Sequence, residues 1–564
     1  MAKTSRDRGG SWGAVVNENT KMTDNIRDDE EARRRIREEL DRNFIAEAAA
    51  GTGKTTCIVD RMVNLVSTGT CQVEHLVAVT FTRKAAAELR ERFHLALRRR
   101  AGELQEGSTP KERETYLRVQ SASDNVSGAF VGTIHSFCAA LLRERPIEFD
   151  VDPTFRELDE DEDGQLREQA WYENINDLFA IGDPLIDQID ELGIERKDLK
   201  SCFDRFIEYR DVQQWPCSTP HEIDVSAVQK QTRDYIEDMK QLMPFPTERG
   251  TDKLMARYEE IVRASGKSWS RVGNFFSVLE RFDTSSAAVQ KQWHDSKIAR
   301  REKNRWEDFR VEVVQPAMEW WYRKRYRFIV EFVRRAVTVY ERQKAASGGL
   351  DFTDLLLAAA RGLKTQPKLR EYFQSRFTHL LVDEFQDTDP IQAEIILYLT
   401  SENVKEQECY HCKPRSGSLF LVGDPKQSIY RFRRGDIVTY NRVRTIFEQS
   451  GGEVLSLVRS FRSRSELRTW NNRIYGAKFL PKADHYKTAA EDMVQGRVDV
   501  SEGELSGLRK LTLGVDSKID ETTRDEAESI AKFIRHALDS GMTVPRTARE
   551  TAQESVVKEK NDGG

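Results

Sequence analysis

Ala48-Ala49-Ala50-Gly51-Thr52-Gly53-Lys54-Thr55 is the stretch that decides how this chain folds. It follows the apolar run Phe44-Ile45-Ala46 and precedes a segment of helical character from Thr56. Strand, glycine loop and helix start form the context a phosphate-binding loop requires. Small residues let backbone N–H groups turn inward around phosphate oxygens, and the helix N-terminus adds a favourable dipole. The spacing predicts that Lys54 reaches the β/γ-phosphates and that the Thr55 hydroxyl ligates Mg²⁺. Ala48 stands where the general pattern has its first glycine. The expected nucleotide contacts are Ala48, Ala49, Ala50, Gly51, Thr52, Gly53, Lys54, Thr55 and Thr56. The loop implies a bound nucleoside triphosphate and leaves open what its energy drives.

The chain has 564 residues, so roughly three to four domains are expected. It is 38% hydrophobic and 32% charged, enough for real cores beneath a polar surface. The net charge of −5, from 89 basic and 94 acidic residues, neither demands nor excludes a nucleic-acid partner. Seven scattered cysteines form no disulfide-like framework, and with no secretory leader in view they suggest a reducing, cytoplasmic setting. No run approaches the ~18 apolar residues of a membrane span, so no membrane partner is expected.

Residues 1–28 are polar and read as a disordered N-terminus. Residues 29–150 alternate short apolar strands, such as His75 to Phe81, with amphipathic helices, such as Lys84 to Arg100. That pattern is α/β with a parallel sheet. Over 151–345 strand-like runs disappear, and the segment reads as a helical insertion. Ile329, Phe332, Val333, Ala336 and Tyr340 fall at helical spacing on one long helix beginning near Pro316. The Trp320-Trp321-Tyr322 cluster there suits packing better than base stacking. Strands resume at 378–382 and 418–422, within a second α/β part spanning 346–450. A further strand, Val454 to Val458, opens a region 451–540, and the tail 541–564 is polar and patternless.

The strand at 378–382 runs into Asp383-Glu384-Phe385-Gln386-Asp387. Carboxylates at the carboxyl end of a parallel strand face the crevice where such sheets bind ligands. Asp383 is expected to hold Mg²⁺ and Glu384 to deprotonate the attacking water. The next strand ends in Gly423-Asp424-Pro425-Lys426-Gln427-Ser428-Ile429-Tyr430-Arg431-Phe432-Arg433-Arg434. Gln427 can donate to a γ-phosphate oxygen and accept from water. Tyr430, Phe432 and the neighbouring arginines, Arg433 among them, suit stacking on bases beside phosphate contacts.

Taken in order, these blocks resemble a superfamily 1 DNA helicase of the UvrD/Rep type, in the RecB/AddA-like branch. Ala48 to Thr55 matches that family's phosphate loop, in which the alanine is usual. Thr80-Phe81-Thr82-Arg83-Lys84-Ala85-Ala86-Ala87-Glu88-Leu89 resembles a motif touching single-stranded DNA. Gly132-Thr133-Ile134-His135-Ser136-Phe137-Cys138 resembles another motif near DNA. Asp351 to Leu355, Asp383 to Asp387 and Gly423 to Arg434 follow in the family's order. Ser460-Phe461-Arg462-Ser463 is similar to an Asn-Tyr-Arg-Ser motif whose arginine contacts the γ-phosphate.

The resemblance implies two RecA-like domains with ATP and Mg²⁺ between them, each carrying a helical insertion. It implies an ATP-dependent helicase moving 3′→5′ on single-stranded and 3′-tailed duplex DNA in repair or recombination, with a helicase or nuclease partner subunit. It assigns Glu384, Gln427 and Arg462 to catalysis. It assigns Thr80, Phe81, Thr82, Thr133, His135, Phe137, Tyr430, Phe432 and Arg433 to DNA. The fold expectation is therefore a RecA-like P-loop NTPase domain with a parallel sheet, built from 29–150 and 346–450, a large helical insertion over 151–345, and the start of an incomplete second RecA-like domain over 451–540.

Three departures stand beside the match. The family's adenine-reading glutamine is not evident, and Asp29-x-x-Ala32-Arg33 occupies its region, which weakens the expected adenine preference. Ser460-Phe461 replaces the commoner Asn-Tyr. Over 463–564 the late blocks of the second motor domain and a nuclease signature are not found. The alternative is then a catalytically impaired ATP- and DNA-binding remnant, or one part of a split helicase. An unrelated P-loop ATPase, such as a transporter or kinase, would not carry the Thr133 to Phe137 and Asp383 to Asp387 blocks. Cys409-Tyr410-His411-Cys412 suggests zinc, but a structural site needs four ligands and no second pair lies nearby, so a surface loop is the better reading.

Overall fold

The computed structural model describes residues 27–105, 109–212, 215, 222–242, 252–266, 268–284, 296–476, 478, 492–496 and 519–541. Nearly all of the expected disordered N-terminus and polar tail lies outside these residues. The described chain opens on a helix at 27–38. Two compact units are formed, one from the chain up to Phe149 together with Ala359 onward, the other from Asp150–Ala358.

Ten strands occur among the described residues: β1 (Phe44–Ala48), β2 (Leu76–Thr80), β3 (Phe130–Thr133), β4 (Arg156–Glu157), β5 (Gly349–Leu350), β6 (His379–Val382), β7 (Leu419–Gly423), β8 (Glu453–Leu457), β9 (Arg459–Ser460) and β10 (Val494–Gln495). Six of them make one sheet in the order β3-β2-β6-β7-β1-β8. Every pairing in it is parallel, with Ala46 opposite Val422 on one side and Leu455 on the other. Strands buried on both faces must be apolar throughout, and Leu76–Thr80 and Leu419–Gly423 are buried at every position. The unit has a mostly helical composition around a RecA-like parallel core, as the apolar runs between amphipathic helices require.

Crossover helices carry the apolar stripes that seal this sheet. Ile58, Met62, Leu65 and Val66 of the helix Lys54–Ser67 are buried against Phe44, Leu381 and Phe420 in the same core. Each such side chain contributes about 1.5–3 kcal/mol. The helix at 27–38 ends on Arg61, whose buried guanidinium donates to the carbonyls of Ile36 (2.7 Å) and Arg42 (2.7 Å). The Ile36 carbonyl is an orphan acceptor of the helix C-terminus, and a cation suits that end of the dipole. Burial pulls the Arg61 pKa down to about 10.

The strand expected to open a second domain lies elsewhere. β8 pairs with β1 in parallel, from Phe44 opposite Glu453 to Ala48 opposite Leu457, so it closes the edge of the first sheet. Beyond it, β9 and β10 form a separate two-stranded parallel sheet. The Cys409–His411 turn is also placed differently from expectation. Cys409 and Cys412 are buried, and burial pushes the Cys409 thiol up to about 12. Among the described residues no group of three or more His, Cys, Asp or Glu forms a ready-made metal cage. No described helix is long and apolar enough to cross a membrane.

The second unit is helical around an aromatic core. Its long helix, Gln315–Ala346, follows a π turn at Arg310–Val314. Pro316 has no N–H for the carbonyl four residues back, and the wider turn falls at that position. Trp320 and Trp321 are buried, with Trp321 stacked on Phe276 at 4.2 Å and 2° between planes. Packing, not an exposed stacking platform, is their role. Tyr322 is 44% exposed and donates to Glu280.

The Asp351-Phe352-Thr353-Asp354 block ends this unit in a buried ionic cluster. The Asp351 carboxylate meets Arg210 at 2.6 Å and Lys344 at 2.9 Å, and accepts from the Tyr340 hydroxyl at 2.7 Å. Burial alone would raise the Asp351 pKa, but Arg210 and Lys344 outweigh it and hold the carboxyl below the usual range. A depressed acid contributes stability that is complete above its unfolded value, about 3.9, and is lost as pH falls through the folded value. Asp351→Asn is expected to leave Arg210 and Lys344 short of a counter-charge and to destabilise the unit by about 3–5 kcal/mol. Chemical denaturation at pH 7 and pH 3 checks both: the wild type should lose stability toward pH 3, and the gap to the variant should shrink.

Candidate functional site

The sheet order decides which loops meet. β1 lies between β7 and β8, so the chain segments leaving these three strands emerge side by side at the carboxyl edge. β6 is next to β7, and β2 and β3 lie beyond it. Along that edge the order is therefore Thr133–His135, Phe81–Thr82, Asp383–Asp387, Asp424–Gln427, Ala49–Gly53 and Val458–Arg462.

The loop after β1 turns through two left-handed glycines, Gly51 at φ 77° and Gly53 at φ 86°. Ala48 is the last residue of β1 and is buried in it, so the turn proper begins at Ala49. Thr52 is buried, and its hydroxyl donates to the Ala49 carbonyl at 2.8 Å. The helix starts at Lys54, with Thr55 half-buried and Thr56 exposed in its first turn. The N–H groups at a helix start have no partner within the helix, and they point to the region a phosphate would fill.

A Cβ added at Gly51 would stand 2.4 Å from the Arg462 Cβ and 3.1 Å from the Ser460 hydroxyl. The contact is tight because the two segments are bonded: Phe461 N–H donates to the Gly51 carbonyl (2.8 Å) and Ser460 Oγ to the Ala50 carbonyl (3.1 Å). Arg462 itself is exposed beside the loop. Gly51→Ala should cost about 1–2 kcal/mol for the left-handed backbone alone and also lever Ser460–Arg462 off the loop. A lowered Tm together with weakened nucleotide affinity is the expected result; unchanged affinity would show that this contact does not shape the site.

Lys54 Nζ pairs with Glu384 Oε2 at 2.5 Å. Glu384 is a non-glycine residue at φ 52° and ψ 42°, a left-handed conformation that costs of order 1–3 kcal/mol. Two amides hold it there. Its own N–H donates to Asp383 Oδ1 (3.0 Å), and Gln386 Nε2 donates to its carboxylate (2.8 Å). Asp383 is buried at the end of β6, with its N–H on the Val79 carbonyl at 2.9 Å. Burial, then the Glu384 charge, pushes Asp383 up to about 6, while Lys54 pulls the other way. Asp387 is pushed up to about 6 by burial and then by Glu384. Asp383, Glu384 and Asp387 thus share the field of one lysine.

Gln386 is the residue that sequence reasoning passes over. Its amide nitrogen serves Glu384 while its oxygen accepts the Asp424 N–H at 2.9 Å, so one side chain joins the loops after β6 and β7. Gly423 leaves room for it, since a Cβ there would stand 2.7 Å from Gln386 Oε1. Its place two residues after Glu384 is the one signal that could have pointed to it. Gln427 donates its amide to Asp424 Oδ2 at 2.7 Å, within its own loop.

A cleft of about 200 Å³ extends from the acidic pair toward β2 and β3, lined by Phe81, His135, Asp383, Glu384, Gln392 and Arg433. At its rim Phe81 and Tyr430 rings lie 4.9 Å apart, and Tyr430 and Phe432 rings 5.7 Å apart. Arg433 lies over both Tyr430 and Phe432, and Phe432 is 75% exposed. Thr82 and Thr133 cap the helices that follow β2 and β3. Thr80 is buried and bonded to the Thr82 carbonyl at 3.2 Å. Phe137 is not brought to this surface: it is fully buried between Phe130 (4.9 Å) and Phe377 (5.3 Å).

The model of the UvrD/REP helicase N-terminal domain matches residues 29–448, about three quarters of the chain. Among curated proteins the chain is 25% identical over 505 residues to an ATP-dependent helicase/nuclease subunit of Listeria monocytogenes serotype 4b, covering 80% of this chain and 39% of that one. It is 26% identical over 573 residues to the protein of the same name from Bacillus velezensis, covering 89% and 44%. With that of Levilactobacillus brevis it shares 27% over 488 residues, covering 77% and 37%. The chain spans about two-fifths of the length of these relatives.

Proposed function

Because the chain belongs to the UvrD/REP helicase family, we propose that it is the ATP-binding portion of a 3′→5′ DNA helicase or translocase acting in repair or recombination. The observation that carries this reading is the Lys54–Glu384 pair, which ties the loop after β1 to the acidic turn after β6 across one sheet edge. In it Ala49 to Gly53 cradle the phosphates through backbone N–H groups, and Lys54 leaves Glu384 to meet the β/γ oxygens. Thr55 and Asp383 are the residues that would hold Mg²⁺, which supplies charge neutralisation of the phosphates when bound. Glu384 then takes the proton of the attacking water, Gln427 senses the γ-phosphate, and Arg462 adds positive charge opposite the developing oxyanion.

Single-stranded DNA lies along Phe81, Thr82, Thr133, His135, Tyr430, Phe432 and Arg433. The exposed Phe432 ring and the half-buried Phe81 and Tyr430 rings offer faces to any base, and Arg433 faces phosphate. The cleft between these residues and the acidic pair lets DNA occupancy bear on the position of Glu384. A nuclease subunit is the proposed partner, on the name its relatives carry, and the cytoplasm the proposed setting.

A second reading is favoured by one specific observation. The helix Ser465–Gly476 exposes Leu467, Trp470 and Tyr475, and the helix Ile519–Asp539 exposes Ile530, Phe533, Ile534 and Leu538. Apolar stripes of this kind need a cover. We place these helices, with β9 and β10, in an incomplete second RecA-like domain, in which case the chain alone binds ATP and DNA but turns ATP over slowly. Strand separation on 3′-tailed and 5′-tailed duplexes separates the readings. Lys54-dependent unwinding confined to the 3′ tail supports the first. Binding of both ATP and DNA without unwinding supports the second. Tail-independent unwinding contradicts the proposed polarity.

A further inference from the structure

The helical unit holds a pocket of about 350 Å³ among the helices Glu160–Ala180, Pro184–Glu191 and Gln315–Ala346. Trp171, Ile175 and Phe179 line it as one stripe of the first helix, with Ile186 and Ile189 of the second and Phe332 of the third. Trp171 and Phe332 meet edge to face, 5.4 Å apart and at 67°. Exposure rises along the stripe from 6% at Trp171 to 54% at Phe179, so the pocket opens to solvent at the Phe179 end. Ile181, just beyond, is 72% exposed. An apolar cavity that runs out onto exposed apolar side chains marks an interaction surface.

The charges around it are one-sided. Residues 173–195 hold seven Asp and Glu and no Lys or Arg, in a chain whose 89 basic and 94 acidic residues nearly balance. Glu173, Asp183, Asp190 and Glu195 are paired, with Arg342, Arg335, Arg271 and Lys197 respectively. Asp177, Asp187 and Glu191 are exposed and pair with no cation among the described residues. Asp187 lines the pocket, Asp177 lies between the lining residues Ile175 and Phe179, and Glu191 stands one helical turn after Asp187. Arg196 is the cation among the lining residues, and it suits the carbonyl end of a docked helix. Three uncompensated carboxylates repel the phosphates of nucleic acid and attract Lys or Arg. An apolar stripe flanked by carboxylates one turn apart is the complement of a helix with apolar residues at i, i+3, i+4 and i+7 and a basic flank.

We propose that this pocket docks an amphipathic, basic helix of another protein, with apolar side chains in the pocket and over Phe179 and Ile181, and lysines or arginines on Asp177, Asp187 and Glu191. None of these residues is among the proposed nucleotide or DNA contacts, so the proposal stands independently of them.

Fluorescence anisotropy of a labelled leucine–lysine helical peptide, titrated with the full chain, tests it. The peptide has about 18 residues, long enough to hold a helix, with leucines at i, i+3, i+4 and i+7. Its counterpart carries glutamate in place of every lysine. The lysine peptide is expected to bind, and the glutamate peptide to bind about 5- to 100-fold more weakly, the range of three exposed charge contacts. Asp187→Lys combined with Glu191→Lys should remove that difference. Phe179→Ser should weaken the lysine peptide while leaving the Tm near that of wild type, since the side chain is already half-exposed. Equal affinity of wild type for the two peptides overturns the proposal. So does a lysine-peptide affinity unmoved in both variants, or no binding at about 1 mM chain. A chain that sediments as a dimer and becomes monomeric with Phe179→Ser also overturns it, because the surface then belongs to a second copy.

Discussion

Glu384→Gln is expected to leave ATP bound and to slow its hydrolysis by about three orders of magnitude, the usual worth of a positioned general base. Glu384 is where the fold accepts local strain. It sits at φ 52° between the buried Asp383 and the bridging amide of Gln386. The amide replacement is isosteric, and its oxygen still accepts from Gln386, so the turn should persist. What it loses is the capacity to take a proton. It also loses the charge that holds Lys54 at 2.5 Å. A released Lys54 is available to phosphate without first breaking an ion pair, so affinity should be equal to or tighter than wild type. Single-turnover hydrolysis with a parallel binding titration checks both halves. A rate within about tenfold of wild type would assign the base elsewhere.

Lys54→Ala has the second large effect, and it falls on binding as well as turnover. The Lys54 side chain is 13% exposed, pairs with Glu384 and lies in the field of Asp383 and Asp387. Its charge-assisted bonds to phosphate are worth about 1.5–3 kcal/mol each, so nucleotide affinity should fall about 100-fold. Removing it also takes away a cation that opposes the rise of Asp383 and Asp387. Both carboxyls then titrate higher than about 6, and Mg²⁺-dependent binding should weaken further below pH 7, since the metal needs the ionised form. Lys54→Arg is not expected to rescue, because a planar fork on a longer stem does not replace a compact ammonium in a closed turn. Nucleotide affinity unchanged in Lys54→Ala would remove the phosphate loop from the account.

How much of this is legible in the sequence depends on the range of the interaction. The phosphate loop and the acidic turn are local, each readable from an apolar strand followed by residues with few other reasons to be there. Strand partners are not local. Val454 to Leu457 announces a strand, but nothing in those residues says that it pairs with β1, so on sequence alone it reads as the opening of a new domain. Cys409 to Cys412 sits among polar neighbours, which suggests a loop at the surface, whereas packing against the helix Pro390–Thr400 buries it. A signal for Phe137 is present but outweighed by the motif match: Ile134, Phe137, Cys138 and Leu141 form a buried helical stripe. Asp29 and Arg33 are visible in the sequence only as a substitution for a missing glutamine. The Asp29 bond to Val458 N–H joins segments more than 400 residues apart, and no periodicity reports that.

On the proposed function, one sheet edge couples a triphosphate site to single-stranded DNA. Steady-state hydrolysis of ATP by the full chain, with and without single-stranded DNA and beside Lys54→Ala, tests it most directly. Hydrolysis is expected to require Lys54 and to rise when DNA is added. Hydrolysis in both conditions equal to that of Lys54→Ala would contradict it.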